Sequence, residues 1–408
     1  MSSLRAKRYI DLFAGCGGLS LGLHLSGWKG VFAIEKSPFA FETLKFNLID
    51  NKKHFDWPTW LECKEHDIYE VIKNHKEELQ SLRGEIDLVA GGPPCQGFSL
   101  AGKRVEEDVR NKLVYCYIEF IELVKPKLIL FENVKGFTYA FKKRDKQKEA
   151  RPYSKIVIEK LESLGYNIKA HVVDFADYGV PQRRKRFILV GVLNDSEDER
   201  KDASLFFTKI QSKKEQFLKD KGLKQCNTVE DAISDLLQSN GIAPCPDRKG
   251  FFAGIYSVQK SKFQKLMREG GAKVKTIPDS HSFARHNRET VNVFSALLSG
   301  YPVKNKRIEN KERETWNIKK RGITILDGKG LSPTLTTHPD DYIHYSEPRI
   351  LTVREYARIQ TFPDWYEIKK KYTTGGKLRK VEVPRYTQIG NAIPPLFAEL
   401  AGLALKEM

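Results

Sequence analysis

Between Arg8 and Leu193 the chain alternates short apolar runs with stretches of helical period. Arg8 to Phe13 reads as a buried strand. Gly15, Gly17 and Gly18 turn it into a helix over Leu19 to Leu25, which Gly27 closes. Gly30 to Glu35 is a second strand, and Ile86 to Ala90 a third, stopped by Gly91-Gly92-Pro93-Pro94. Leu113 to Val124 repeats with helical period and Lys127 to Phe131 reads as a strand. Ile156 to Leu164 is a helix closed by Gly165. Ile168 to Val173 and Phe187 to Leu193 are further strands. Strands alternating with helices predict an α/β fold around a doubly wound, mostly parallel sheet.

The rhythm breaks after Asn194. Residues 195–322 are Lys-rich and irregular, with no internal repeat, and fit an inserted lobe. An ordered block follows from Ile323 to Asp364. Residues 365–384 read as a basic loop, and Gln388 to Leu405 as a turn and a helix. The 408 residues suffice for two or three domains. Charge changes the picture: 70 Lys and Arg against 52 Asp and Glu leave +18, a surplus that points to a polyanionic partner. No apolar run approaches the ~18 residues of a membrane span. Asp11 interrupts the first hydrophobic run, so no secretory leader is expected and the protein is placed in the cytoplasm. None of the six cysteines forms a C-x-x-C pair, so neither a metal site nor a disulfide framework is expected.

Four segments carry candidate chemistry. The strand–glycine–helix unit through Gly15 and Gly17 lets a ligand approach the backbone, and Glu35 follows Gly15 at the spacing of a ribose-binding acid. Ser20 stands where a dinucleotide fingerprint has its third glycine, which disfavours a nicotinamide cofactor. Asp67 is expected to end another strand and face an adenine. Cys95 follows two prolines at the carboxyl end of a strand. That context leaves a nucleophile and a buried filler both open. Glu132 is delivered by an apolar strand and suits a general acid. Gln182-Arg-Arg-Lys-Arg186 enters a strand beside these groups and suits an anionic or carbonyl-rich ligand.

The runs DLFAGCGG, GGPPCQGFS, FENVKGF, QRRKR, RILTVREYARIQTFPD and QIGNAIPP occur in one order, and together the chain resembles the cytosine-C5 DNA methyltransferases. The resemblance covers residues 7–192 and 323–408. It implies a Rossmann-like S-adenosylmethionine methyltransferase sheet with a second, smaller target-recognition domain. It implies transfer of methyl from S-adenosylmethionine to C5 of a cytosine flipped out of a specific duplex sequence, through a covalent bond from Cys95 to C6. Glu132 would protonate N3, and Arg184 and Arg186 would hold the base. Phe13, Gly15, Gly17, Glu35, Asp67, Ile68, Pro94, Leu113 and Asn391 would bind the cofactor. Ser99, Arg110, Gln182 and Thr334 would contact DNA, with residues 99–112 as a loop over it.

Residues 1–193, completed by 385–408, are expected to form the catalytic domain, and 194–384 the target-recognition domain. Arg349 to Asp364 is read as organising the second lobe. His281, Arg285 and His286 are read as ordinary surface or turn residues rather than base readers. The expected partners are double-stranded DNA and a cognate restriction endonuclease that shares the target site without direct contact. The expected state is a monomer away from membranes. The resemblance also admits a tRNA-modifying branch, which a missing Cys-Phe-Thr run argues against. A catalytically inert DNA-binding regulator is opposed by intact Cys95 and Glu132.

Overall fold

β1 (Arg8–Leu12) lies at the centre of one half of a six-stranded sheet because every residue after Arg8 is buried. It pairs in parallel with β2 (Lys29–Ile34) on one side and β3 (Leu88–Gly91) on the other, and β3 pairs in parallel with β4 (Leu128–Val134). β6 (Lys185–Leu193) runs antiparallel to β4 and to the edge strand β5 (Tyr166–Asp174), giving the order β2-β1-β3-β4-β6-β5. The computed structural model describes residues 5–94, 112–140, 151–194, 202–318, 322–374 and 382–408. Helices α1 (Gly18–Leu25), α2 (Pro38–Leu44), α3 (Ile68–Asn74), α4 (Lys76–Ser81), α5 (Lys112–Val124) and α6 (Tyr153–Ser163) connect the strands. Ile10, Phe32, Val89, Phe120, Ile121 and Phe131 lie in one apolar core beneath them.

From β1 the chain winds to β2 in one direction and to β3 in the other. The carboxyl ends of β1 and β3 therefore flank the crevice where open α/β sheets hold ligands. One element differs from expectation. Asp67 ends no strand; it is the N-cap of α3, and its carboxylate accepts the Tyr69 amide at 3.0 Å. The preceding Glu62-Cys-Lys-Glu-His66 is too charged to enter a sheet interior, whereas an aspartate before an apolar helical repeat is a favoured cap.

By its internal contacts the chain divides into two compact units. Met1–Asp174, Lys185–Lys214 and Ala398–Met408 form the first, and Phe175–Arg184 with Glu215–Phe397 the second. The C-terminal stretch closes the first unit against α1. Trp28 Nε1 donates to the Gly402 carbonyl at 2.9 Å, and a Cβ at Gly22 would lie 2.3 Å from the Ala398 Cβ. Only glycine permits that approach.

The second unit is organised by a helix, Val353–Ile359, all of whose residues are buried. Its Arg358 donates to Asp364 (2.5 and 2.6 Å) and to Asp235 (3.2 Å twice), and Arg354 donates to Asp279 at 2.9 Å. Burial opposes the charge on Arg358, but Asp364 and Asp235 outweigh it and push the guanidinium above its ordinary value. Arg349 to Asp364 thus does organise this unit. Arg358→Met is expected to destabilise the protein by roughly 3–5 kcal/mol, because it strands buried carboxylates. A urea midpoint within error of the unsubstituted protein would contradict this.

Candidate active site

The turn after β1 is built for close approach. Phe13 holds φ 59°, Gly15 φ 56° and Gly17 φ 86°. For Phe13 this left-handed backbone costs about 1–3 kcal/mol, a strain typical of ligand sites. A Cβ at Gly15 would meet no atom within 4 Å, so the turn faces open space. Glu35, directly after β2, accepts the Gly15 amide at 2.9 Å through one oxygen and the Ser37 amide at 2.7 Å through the other. Removal from water raises its carboxyl above the ordinary value, and the amides of Ser37, Gly15 and Lys36 oppose that rise. Asp67 also receives Lys36 Nζ at 2.7 Å. Burial would raise Asp67, but the hydrogen bonds from Lys36 and Tyr69 leave it below the usual carboxylate value. Ile68 is buried behind it, and Leu113 and Phe13 pack partly buried against the core.

Asp11, which in the sequence only interrupts the first hydrophobic run, is buried within β1. It is 1% exposed and accepts Ser20 Oγ at 2.5 Å; burial pushes its carboxyl up to about 7, chiefly by desolvation. An aspartate inside an apolar strand was the available signal.

The second group gathers at the ends of β3 and β4. Arg186 Nε donates to Glu132 Oε1 at 2.8 Å, both side chains being largely buried. The antiparallel register explains the meeting. Glu132 faces Ile188 and Val134 faces Arg186, so the two charged residues are diagonal neighbours on one face. Burial lowers the Arg186 guanidinium, and Glu132 opposes that fall. A Cβ at Gly92 would lie 2.8 Å from both Glu132 Oε2 and the Glu132 carbonyl, so Gly92 is what lets the carboxylate reach the Gly-Gly-Pro-Pro turn. Asn133, also unforeseen, is 2% exposed and donates to the Pro93 carbonyl at 3.1 Å, tying β4 to that turn. Pro94 follows, exposed. Cys95, Ser99 and Arg110 lie outside the described residues.

Four expected site residues belong to the second unit. Arg184 is 2% exposed and donates to the carbonyls of Gly390 (2.9 Å) and Leu335 (3.4 Å). Arg184 lies just before the strand that begins at Lys185 and carries Arg186. Gln182 is fully buried. It accepts the Leu335 amide at 2.8 Å and donates to Gln360 at 2.9 Å, so both ends of its amide are engaged inside the protein. Thr334 is exposed and donates to the Arg183 carbonyl at 2.6 Å. Asn391, exposed, ends the helix Arg385–Asn391. His281, read as an ordinary surface or turn residue, is not at the surface. It is 1% exposed and bonds Thr352 Oγ1 at 2.8 Å and the Leu236 carbonyl at 2.9 Å.

The family model for C-5 cytosine-specific DNA methylases matches residues 7–407. The chain belongs to that family. It is 29% identical to the Type II methyltransferase M.DdeI of Desulfomicrobium norvegicum over 96% of this chain and 86% of that one. It is 31% identical to the Type II methyltransferase M.XorII of Xanthomonas oryzae pv. oryzae over 96% of this chain and 83% of that one. Its fold is shared with a crystal structure described as a DNA modification methyltransferase encoded within an E. coli prophage. The TM-score is 0.65 at 24% identity, covering 98% of this chain and 99% of that one. The protein is thus a DNA cytosine-5-methyltransferase, and such an enzyme takes its methyl group from S-adenosylmethionine.

For this methylase the open Gly15 turn and the acids Glu35 and Asp67 suit a nucleoside carrying a small polar tail. Glu35→Ala is expected to weaken S-adenosylmethionine binding by ~1–3 kcal/mol, the worth of a charge-assisted hydrogen bond. Calorimetry on folded protein showing unchanged affinity would remove Glu35 from the site.

Proposed function

We propose that this methylase modifies C5 of a cytosine flipped out of a specific duplex DNA sequence, using a covalent bond from Cys95 to C6. The observation that carries the reading is the Glu132–Arg186 pair at 2.8 Å, set against Gly92 and so three residues from Cys95 in the chain. Cytosine C5 is a weak nucleophile. Thiolate addition at C6 makes the ring an enamine and places negative charge towards N3. Glu132 supplies a proton there. Arg186, the ion-pair partner of Glu132, would meet the cytosine carbonyl. Once C5 carries the methyl group, transfer of the C5 proton to a base, elimination of the Cys95 thiolate from C6 and return of the N3 proton to Glu132 complete the turnover.

S-adenosylmethionine, when bound, supplies an electrophilic methyl group. Glu35 would hold its ribose, Asp67 and Ile68 its adenine, and the turn Phe13 to Gly17 its remainder. Pro94, Leu113 and Asn391 would complete the pocket. Arg110, Ser99 and Thr334 would contact phosphates. Gln182 and Arg184 bond the Leu335 and Gly390 backbone, and Gln182 also the Gln360 side chain, which suits holding that region in place. We assign the catalytic unit the chemistry and the second unit the reading of DNA sequence. Likeness to Type II methyltransferases supports a cognate endonuclease with the same target; a monomeric enzyme, in the cytoplasm at the nucleoid, completes the proposal. Among the described residues no helix is long and apolar enough to cross a membrane.

Tritiated S-adenosylmethionine offered with plasmid DNA and, separately, bulk tRNA tests the reading. Label is expected in plasmid cytosine only, and the net +18 predicts that DNA binding weakens steeply with salt. Label in tRNA alone would overturn it.

A further inference from the structure

A short hairpin in the second unit carries a preformed set of guanidinium groups. Strands β7 (Ile242–Pro244) and β8 (Phe252–Gly254) pair antiparallel. The loop between them is closed by Cys245 N–H donating to the Phe251 carbonyl at 2.8 Å and by Phe251 N–H donating to the Arg248 carbonyl at 3.1 Å. Inside this loop the Arg248 Cζ lies 3.6 Å from the Phe251 ring centroid and 5.0 Å from that of Tyr372. The chain next to β8, joined through the Phe252 carbonyl and the Phe283 amide (2.9 Å), brings Arg285 in, its Cζ 4.5 Å from the same Phe251 ring. Arg385 lies 4.2 Å from the Tyr372 ring and pairs with Asp247, which also accepts the Tyr372 hydroxyl at 2.8 Å. The base of the array is therefore fixed.

Arg385 has a carboxylate partner; Arg248 and Arg285 have none among the described residues, where no hydrogen bond or ion pair to either side chain occurs. Arg285 is exposed and Arg248 half-buried. A guanidinium stacked on a ring uses its flat face and keeps its in-plane N–H fork for a partner. Holding the fork in advance lowers the entropy lost on binding. The fork fits a phosphate as well as a base edge, but only a base edge carries sequence. In the major groove guanine presents a planar double acceptor at O6 and N7, in a groove that admits a two-stranded ribbon.

We infer that Arg248 and Arg285, on the 242–254 hairpin and its neighbouring segment, read guanine in the target duplex and so help set the methylated sequence. The inference rests on the proposed action on duplex DNA. It deepens that reading by naming which residues choose the site.

The test is to methylate a plasmid library of random sequence with the unsubstituted enzyme, Arg248→Ala, Arg285→Ala, Arg248→Lys and, as a neighbouring control, Lys249→Ala, and then to map methylcytosine by sequencing. For each arginine variant the preference for guanine at one or two positions should fall at least about tenfold, with cytosine kept as the methylated base. Arg248→Lys should relax the same position as Arg248→Ala, because it keeps the charge and loses the fork. Lys249→Ala should leave the base preferences unchanged. Arginine variants whose preferences match the unsubstituted enzyme, with activity unchanged or lowered equally on all sequences, would overturn the inference. An unsubstituted enzyme that methylates no DNA would instead overturn the reading beneath it.

Discussion

Cys95→Ser is expected to lower methyl transfer at least about 10⁴-fold, the scale on which loss of a covalent nucleophile acts. A few per cent of an ordinary thiol is ionised at neutral pH, whereas a serine hydroxyl is not, and sulfur is the better nucleophile towards an unsaturated ring carbon. Duplex carrying 5-fluorocytosine at the target should trap the unsubstituted enzyme covalently in the presence of cofactor, because fluorine cannot leave as a proton does. The serine variant should form no adduct while still retaining DNA in a gel-shift assay. An adduct formed by the serine variant would place the nucleophile elsewhere.

Glu132→Gln is expected to lower kcat by ~10²–10⁴, the usual worth of a positioned acid. The change conserves shape beside Gly92, where a Cβ would already lie 2.8 Å from the Glu132 carboxylate. It also leaves the largely buried Arg186 without its carboxylate, so a drop in melting temperature should accompany the kinetic effect. Arg186→Ala removes the other member of the pair. Because both act on one base, the double variant should be little slower than the slower single variant. Single-turnover rates for the four proteins decide the matter. Fully additive losses would show two independent roles, and a Glu132→Gln enzyme within tenfold of the unsubstituted one would exclude Glu132 as the proton donor.

The strands that bear these groups were legible because each is an apolar run bounded by Gly, Pro or a charged residue. β3 stops at Gly-Gly-Pro-Pro and β4 delivers Glu132 for that reason. What periodicity could not show was partnership. Asn133 reads as a polar residue after an acid, and its bond to Pro93 depends on β3 and β4 lying side by side across 40 positions of sequence. Gln182 and Arg184 read as part of a basic, DNA-facing run. In the fold they also bond the Leu335 backbone, the Gly390 carbonyl and the Gln360 side chain, partners that periodicity does not announce. His281 reads as a turn residue until the Val353–Ile359 helix places Thr352 beside it.

The sequence by itself determined the α/β order, the placing of Cys95 after the carboxyl end of a strand, the basic character, and the ordered blocks that mark a cytosine methylase. These depend on local apolar periodicity, on glycine and proline, and on a linear order of motifs, all carried along the chain. Only the tertiary structure decided that Glu132 is paired with Arg186, that Gln182 meets Leu335, and that Arg285 comes to the Phe251 ring of a hairpin within residues 195–322. Each of these is a contact between positions far apart in sequence. Its energy comes from burial, charge pairing or ring stacking that exists only once distant elements are packed together.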